Sequence, residues 1–379
     1  MLEVLTIETP GLGDRSYLVH DGEFALVVDP QRDIDRVLTL AESKGVTITH
    51  VAETHIHNDY VSGGLDLANR LSATYLVAKQ DDVEFERVGI VDGDSIRMGR
   101  LAIGVIATPG HTHNHLSFLV SDEQGSQGLF TGGSLLYGTV GRTDLIGGGS
   151  AEELTREQFR SVRKLASMVA DNVAVWPTHG FGSFCSSAKP SGALRGTMGD
   201  ERKSNLALTI EDEDVFVTNL LSGLTAYPRY YAWMAPINRA GPAPVDLSAP
   251  AVLTVEQLRT QIREGGWVVD LNKRRAFARG HLPGTISVEL GKQFATYLGW
   301  VLPWGTPLTL IGDSMQEVAG GAAGADPDRH RPPGGCSHGR SSRACGRTWA
   351  GKLPGCQLRG AGRGAGSRPP ASCSRCTPR

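Results

Sequence analysis

Three short apolar runs that each break off into histidines constrain this chain more than any other feature. HVAETHIHNDY (residues 50–60) spaces His55, His57 and Asp59 two apart, IATPGHTHNH (106–115) presents His111, and VAVWPTHG (173–180) presents His179. At the end of a strand a turn can draw alternating residues to one point. Strands that end at a common edge would therefore gather imidazole and carboxylate groups suited to a divalent cation.

The segments between these runs alternate in period. FALVVDP (24–30) is a short buried strand, and DIDRVLTLAESKG puts Ile34, Val37, Leu38 and Ala41 on one helical face before Gly45, a residue that ends helices well. A second helix follows through LDLANRLSA, then strands at LAIGVIATPG, HLSFLV and LFTG, and a long amphipathic helix from about Glu152 to Ala170. The predicted class is α/β.

Composition divides the chain. Residues 1–235 form the first unit, the Pro-rich stretch 236–250 (PINRAGPAPVDLSAP) reads as a linker, and 251–319 reads as a smaller α/β unit with a helix at TVEQLRTQIREGG and buried strands at WVVDL and PLTLIGD. Residues 320–379 differ in kind: they lack Ile, Val, Phe, Tyr and Met, carry eleven basic and two acidic residues, and hold five of the six cysteines. Such a tail cannot bury enough apolar surface to offset the entropy of ordering it, so disorder is expected there. Its abrupt onset matches the out-of-frame reading of a GC-rich gene. A nucleic-acid-binding arm is disfavoured because the tail holds a single aromatic, Trp349, and no regular spacing, and Cys373–Cys376 is a lone pair without zinc-finger partners. A body with one cysteine, Cys185, and no signal-like or membrane-spanning run places the protein in the cytoplasm.

The histidine loops resemble those of the metallo-β-lactamase fold superfamily. Thr54, His55, His57 and Asp59 fall in register with its THxHxDH motif, Thr108-Pro109-Gly110-His111 with the second, and Thr178-His179-Gly180 with the last. The resemblance implies an αββα sandwich with a metal between strand ends at one edge. Within the superfamily the chain is similar to persulfide dioxygenases, including those fused to a rhodanese domain, through GRTDL (141–145), HGFGSFC (179–185) and Tyr60 in place of the final motif histidine. A phenol at Tyr60 implies one metal rather than two.

One departure matters. The family's FTGD motif supplies a carboxylate to the metal, and here Gly133 stands in its place. The expected site is therefore three imidazoles, His55, His57 and His111, holding one Fe(II), with zinc as the alternative. Asp59 and His179 are expected to orient ligands or move protons, and Arg142 to hold an anionic part of the substrate. His113 and His115 read as strand-edge or supporting residues, Cys185 as a packed residue, and Asp144 as a turn cap or partner of Arg142.

The implied activity is oxidation of a low-molecular-weight persulfide to sulfite and thiol. Hydrolysis of a thioester in the manner of glyoxalase II is the alternative, and a non-catalytic binding protein on the same scaffold is the third reading. VVDLNKRRAFARGHLPGTISV (268–288) resembles the first half of a rhodanese domain. The position of that family's reactive cysteine falls at about Gly312, so the expected unit is an incomplete, non-transferring module whose open sheet edge favours association between copies.

Overall fold

The computed structural model describes residues 2–325 except 126, 148, 190 and 244–249. The first 240 residues build two six-stranded sheets laid face to face. In the first sheet the strands Glu3–Thr9, Asp14–His20 and Phe24–Val28 pair antiparallel, then Thr47–Ala52, Thr74–Ala78 and Val88–Ile90 continue it in parallel. The second sheet runs in the order Gly196–Thr197, Ala174–Pro177, Gln127–Gly132, Leu116–Asp122, Leu101–Ala107, Ser95–Met98.

The alternation of side chains explains why four layers result. Along FALVV, Leu26 and Val28 enter the core between the sheets, where they meet Leu101, Ile103, Phe118 and Phe130 of the second sheet. Ala25 and Val27 face the other way and are covered by the helices Asp35–Lys44 and Gly64–Leu71 through Val37, Ala41 and Leu67. A strand apolar on both faces needs cover on both. The outer face of the second sheet is covered likewise by the helix Ala151–Met168, whose Phe159, Val162 and Leu165 pack on Leu129 and Val175. Gly45 adopts the left-handed conformation (φ 66°) that closes its helix.

A helix crosses the boundary that composition placed at residue 235. Tyr231–Ala240 is continuous through Pro236 and buries Ala235 in the first core, so Pro236–Ala240 is helix and not linker. Packing of Tyr231, Met234 and Asn238 overrides the local signal of Pro236. Residues 244–249 of the predicted linker lie outside the described residues.

Beyond it, the helix Val255–Arg263, capped reciprocally by Thr254 and Gln257, leads to a three-stranded parallel sheet of Ile286–Ser287, Trp267–Asp270 and Leu308–Ile311. Its core contains Val269, Leu271, Phe294, Leu298 and Leu310. The helix Met315–Ala325 runs past residue 319, so Gly320–Ala325 is not the disordered segment that composition predicted. A side chain at Gly321 would meet Leu271, which shows how closely this helix approaches the sheet. The rest of the predicted tail, 326–379, lies outside the described residues. No helix of the described residues is long and apolar enough to cross a membrane.

Candidate metal centre

Every histidine loop opens from the same edge of the sandwich. Asp29 follows Phe24–Val28, His55, His57 and Asp59 follow Thr47–Ala52, His111 follows Leu101–Ala107, and His179 follows Ala174–Pro177. Asp14 opens the antiparallel strand Asp14–His20 and so lies at that edge too. Backbone hydrogen bonds tie the two sheets together here: Leu116 N–H donates to the Thr54 carbonyl (2.7 Å) and Arg15 N–H to that of Thr178 (2.8 Å).

The protonation of each ring follows from its partners. The Thr54 hydroxyl has one proton and donates it to Asp29 Oδ2 (2.7 Å), so at 2.9 Å it must accept from His55 Nδ1–H. His111 Nδ1–H donates to the Arg142 carbonyl (2.7 Å). His179 Nδ1–H donates to Asp14 Oδ1 (2.9 Å), with Asp59 Oδ2 at 3.3 Å. All three rings are thus held with Nε2 bare. Burial, with the neighbouring rings adding to it, keeps His55 and His111 well below the ordinary histidine range, and burial also lowers His179.

These nitrogens converge. Ligand atoms of His55, His111 and His179 lie within 4.8 Å of one another, and Nε2 of His55 and of His179 are 3.4 Å apart. With no proton between them, that last pair is not a hydrogen bond. Two nitrogens bound at tetrahedral angles to one ion at about 2.0–2.1 Å would stand roughly 3.4 Å apart, so the spacing suits a cation. His111 Nε2 is buried and has no hydrogen-bond partner among the described residues. The residues therefore fit a metal ion.

Membership of the triad differs from the sequence expectation in one place. His57 stacks near His55 (ring centroids 4.1 Å), but its Nε2 turns away to Asp29 (3.3 Å), Glu53 (3.2 Å) and the Tyr60 hydroxyl (2.9 Å). Burial alone would depress His57. The charge of Asp29 and the hydrogen bonds the ring donates to both acids outweigh it and raise the ring to about 10, an imidazolium clamped between carboxylates. His179 takes the place expected of His57. His57 Nδ1 has no hydrogen-bond partner among the described residues, and His57 is grouped with Asp59 and His179 in one further cluster of donor groups and with Asp29 and Glu53 in another.

Gly133 explains the absent carboxylate in physical terms. A Cβ built there would lie 2.1 Å from His111 Cδ2, so the imidazole fills the space an aspartate would need. Gly133 N–H donates to His115 Nε2 (3.0 Å), which fixes His115 as an acceptor that braces the loop. Gly132 (φ 52°) adopts a left-handed conformation, with Thr54 Oγ1 and His115 Nε2 pressed against it.

Asp59 is fully buried beside His179, and burial together with the Asp14 charge raises its carboxyl to about 7; burial raises Asp14 to about 7 as well. Arg142 is not where the sequence reading put it. Its guanidinium is bidentate to Asp144 (2.7 and 2.9 Å), donates to the Phe184 (3.1 Å) and Thr225 (2.7 Å) carbonyls, and stacks on Tyr227. Every nitrogen is engaged and the side chain is 1% exposed, so Arg142 anchors the loop whose carbonyl holds His111 rather than facing an open site. Arg142→Lys, which cannot reproduce the fork, is expected to lower stability by about 3 kcal/mol. Urea denaturation measures that loss, and in the fraction that remains folded KM should stay within about twofold.

Cys185 is buried, and burial pushes its thiol well up, as for a packed residue. Sequence reasoning missed Asp14, Asp29 and Glu53. Asp29 receives Thr54 N–H, Thr54 Oγ1–H and Thr178 Oγ1–H and is held below the usual carboxylate range despite its burial, chiefly by His57. An acid ending a wholly apolar strand, as in FALVVDP, was the available signal. Nothing local marks Asp14.

A sandwich of this topology with imidazoles at one sheet edge is that of the metallo-beta-lactamase superfamily, and the chain belongs to it: the family's profile matches residues 10–177. A solved metallo-beta-lactamase from Staphylococcus aureus is 31% identical and superposes with a TM-score of 0.75 over 84% of this chain and 93% of its own. That share exceeds what the first 250 residues could supply, so the likeness extends into the second α/β unit. Human mitochondrial persulfide dioxygenase ETHE1 is 27% identical over 62% of this chain and 82% of its own length. The ETHE1 structure from Myxococcus xanthus (25% identical) superposes at TM-score 0.54 over 63% of this chain and 98% of that one. Hydroxyacylglutathione hydrolase of Methylococcus capsulatus is 31% identical over 45% of this chain and 64% of its own.

Proposed function

We propose that this protein is a mononuclear metalloenzyme that oxidises a low-molecular-weight persulfide, with His55, His111 and His179 as the metal ligands. The observation that carries the reading is the set of proton-free Nε2 atoms converging where His111 has taken the volume of the family's carboxylate. Tyr60 lies on His57 and hydrogen-bonds to it, so the side chain that would serve a second ion is a phenol committed to a buried network. Similarity to persulfide dioxygenases along most of their length favours iron and a persulfide over zinc and a thioester.

A bound Fe(II) would supply the redox chemistry by which O2 oxidises the outer sulfur. The overall balance is persulfide, O2 and water giving sulfite, thiol and protons. The chain's own part is to exclude bulk water, to keep three imidazoles neutral, and to handle those protons. Asp59 and Asp14, both near 7 and in contact with His179, are the groups able to take up and release them at neutral pH. His57, locked as a cation, holds Asp29 and Glu53 and is not available for proton transfer.

The thioester-hydrolase reading is favoured by the likeness to the Methylococcus hydrolase and by the suitability of three imidazoles for zinc. Both are tested together. Protein loaded with iron should consume O2 in the presence of glutathione persulfide and release sulfite, and protein loaded with zinc should release no thiol from S-lactoylglutathione. The reverse pattern replaces the dioxygenase with the hydrolase, and inactivity in every combination leaves a binding protein.

A further inference from the structure

The side chains that form the imidazole pocket are shut off from solvent. His55, His57, Asp14, Asp59, His111 and His179 are each at most 1% exposed. Any substrate must therefore pass between elements that touch in this structure, and the layer above the pocket shows which. Cys185 contacts Asp59 below and Tyr231 above, and belongs to a cluster with Val61, Tyr230 and Met234. Trp304 of the second α/β unit packs against that same cluster.

The helix Phe294–Val301 of the second unit seals the rest. Thr296, 4% exposed, donates its hydroxyl to the carbonyl of Gly11 (3.1 Å), in the turn that leads into Asp14. Trp300 meets Phe184 edge to face (5.5 Å, 73°), in the loop that leaves His179. Gly299 lets the helix approach Tyr230 closely, since a Cβ there would lie 2.3 Å from its ring. One short helix thus rests on the turn that leads into Asp14 and on the loop that leaves His179. The unit it belongs to has Gly312 directly after the strand Leu308–Ile311, so it offers no thiol there with which to act on sulfur itself.

We propose that this helix is the gate of the metal pocket: the seam between Trp300 and Trp304 on one side and Phe184 and Tyr230 on the other opens to admit substrate and closes to exclude water. The four facing side chains are aromatic, which suits passage of the carbon part of a small thiol carrier; that identity of the ligand rests on the proposed function, whereas the gate does not. A closed seam with short-lived openings is a local equilibrium, so weakening its contacts increases the open fraction without unfolding the sandwich.

The test reads access directly. Full-length protein and its Trp300→Ala/Trp304→Ala variant are treated, metal-free, with N-ethylmaleimide, and labelling of the peptide holding Cys185 is followed by mass spectrometry, which separates it from the five tail cysteines. Labelling should accelerate about tenfold or more. Thr296→Val, which removes one hydrogen bond, should accelerate it about two- to fivefold and guards against misfolding of the double variant, with circular dichroism and the urea midpoint of the sandwich as fold controls. In metal-loaded protein, a chelator should strip the ion faster in the same order of variants. Unchanged Cys185 labelling in folded variants overturns the gate. Protein that never binds metal but shows the labelling difference overturns the proposed function and leaves the gate standing.

Discussion

His179→Ala is expected to reduce bound metal from about one equivalent per chain to below roughly a tenth, because loss of one of three imidazoles removes more affinity than the 10–100-fold that a supporting residue contributes. The argument is geometric. His179 Nε2 faces His55 Nε2 at 3.4 Å, and Asp14 and Asp59 hold its other nitrogen. Its removal also leaves two buried carboxyls facing each other, which at pH values near 7 share protons more tightly. His57→Ala behaves differently. It leaves Asp29 and Glu53 buried without their cation, so it should cost about 3–5 kcal/mol of folding stability. Metal analysis by mass spectrometry beside urea denaturation separates the two. Full metal occupancy in His179→Ala would return His57 to the ligand set and sink the triad proposed above.

The second large effect is a failed restoration. Gly133→Asp puts back the carboxylate of the family motif, and simple motif logic says that metal binding should improve. The structure gives the opposite expectation. The new Cβ would stand 2.1 Å from the His111 ring and 2.6 Å from its Nε2, within a site where His111 is wholly buried and its Nδ1 is tied to the Arg142 carbonyl. Either the imidazole leaves its position or the loop strains, and a carboxylate enters a buried pocket already holding Asp14, Asp29, Asp59 and Glu53. A loss of about 3 kcal/mol in stability follows from overpacking and uncompensated charge, together with a drop in metal content. Tm and metal stoichiometry check it. A variant that is stable and binds iron more tightly would mean that His111 yields easily and that the glycine is a recent loss rather than part of the packing.

Much of the scaffold was legible because its signals are local. FALVV, LAIGVIA and VAVWP carry their strand character in a few consecutive residues, and the helix 35–44 shows both its apolar face and its terminating glycine. Pro236 misled because its signal is local as well, while the contacts that keep it helical come from Met234 and Asn238 packing far along the chain. Asp14 was invisible for the same reason: its importance comes from lying 2.9 Å from a histidine 165 residues away.

By itself the sequence determined the succession of strands and helices and the short list of histidines, since strand period and motif spacing are properties of neighbouring residues; the sandwich was what the resemblance of those motifs implied. Only the tertiary structure decided which imidazoles meet, that Arg142 is spent on loop carbonyls and Asp144, and that His111 occupies the space of the missing acid. The physical reason is that ring orientation is set by hydrogen-bond partners from other strands, Asp29 through Thr54, the Arg142 carbonyl and Asp14. Spacing along one strand does not encode which of two nitrogens on a ring those partners leave bare.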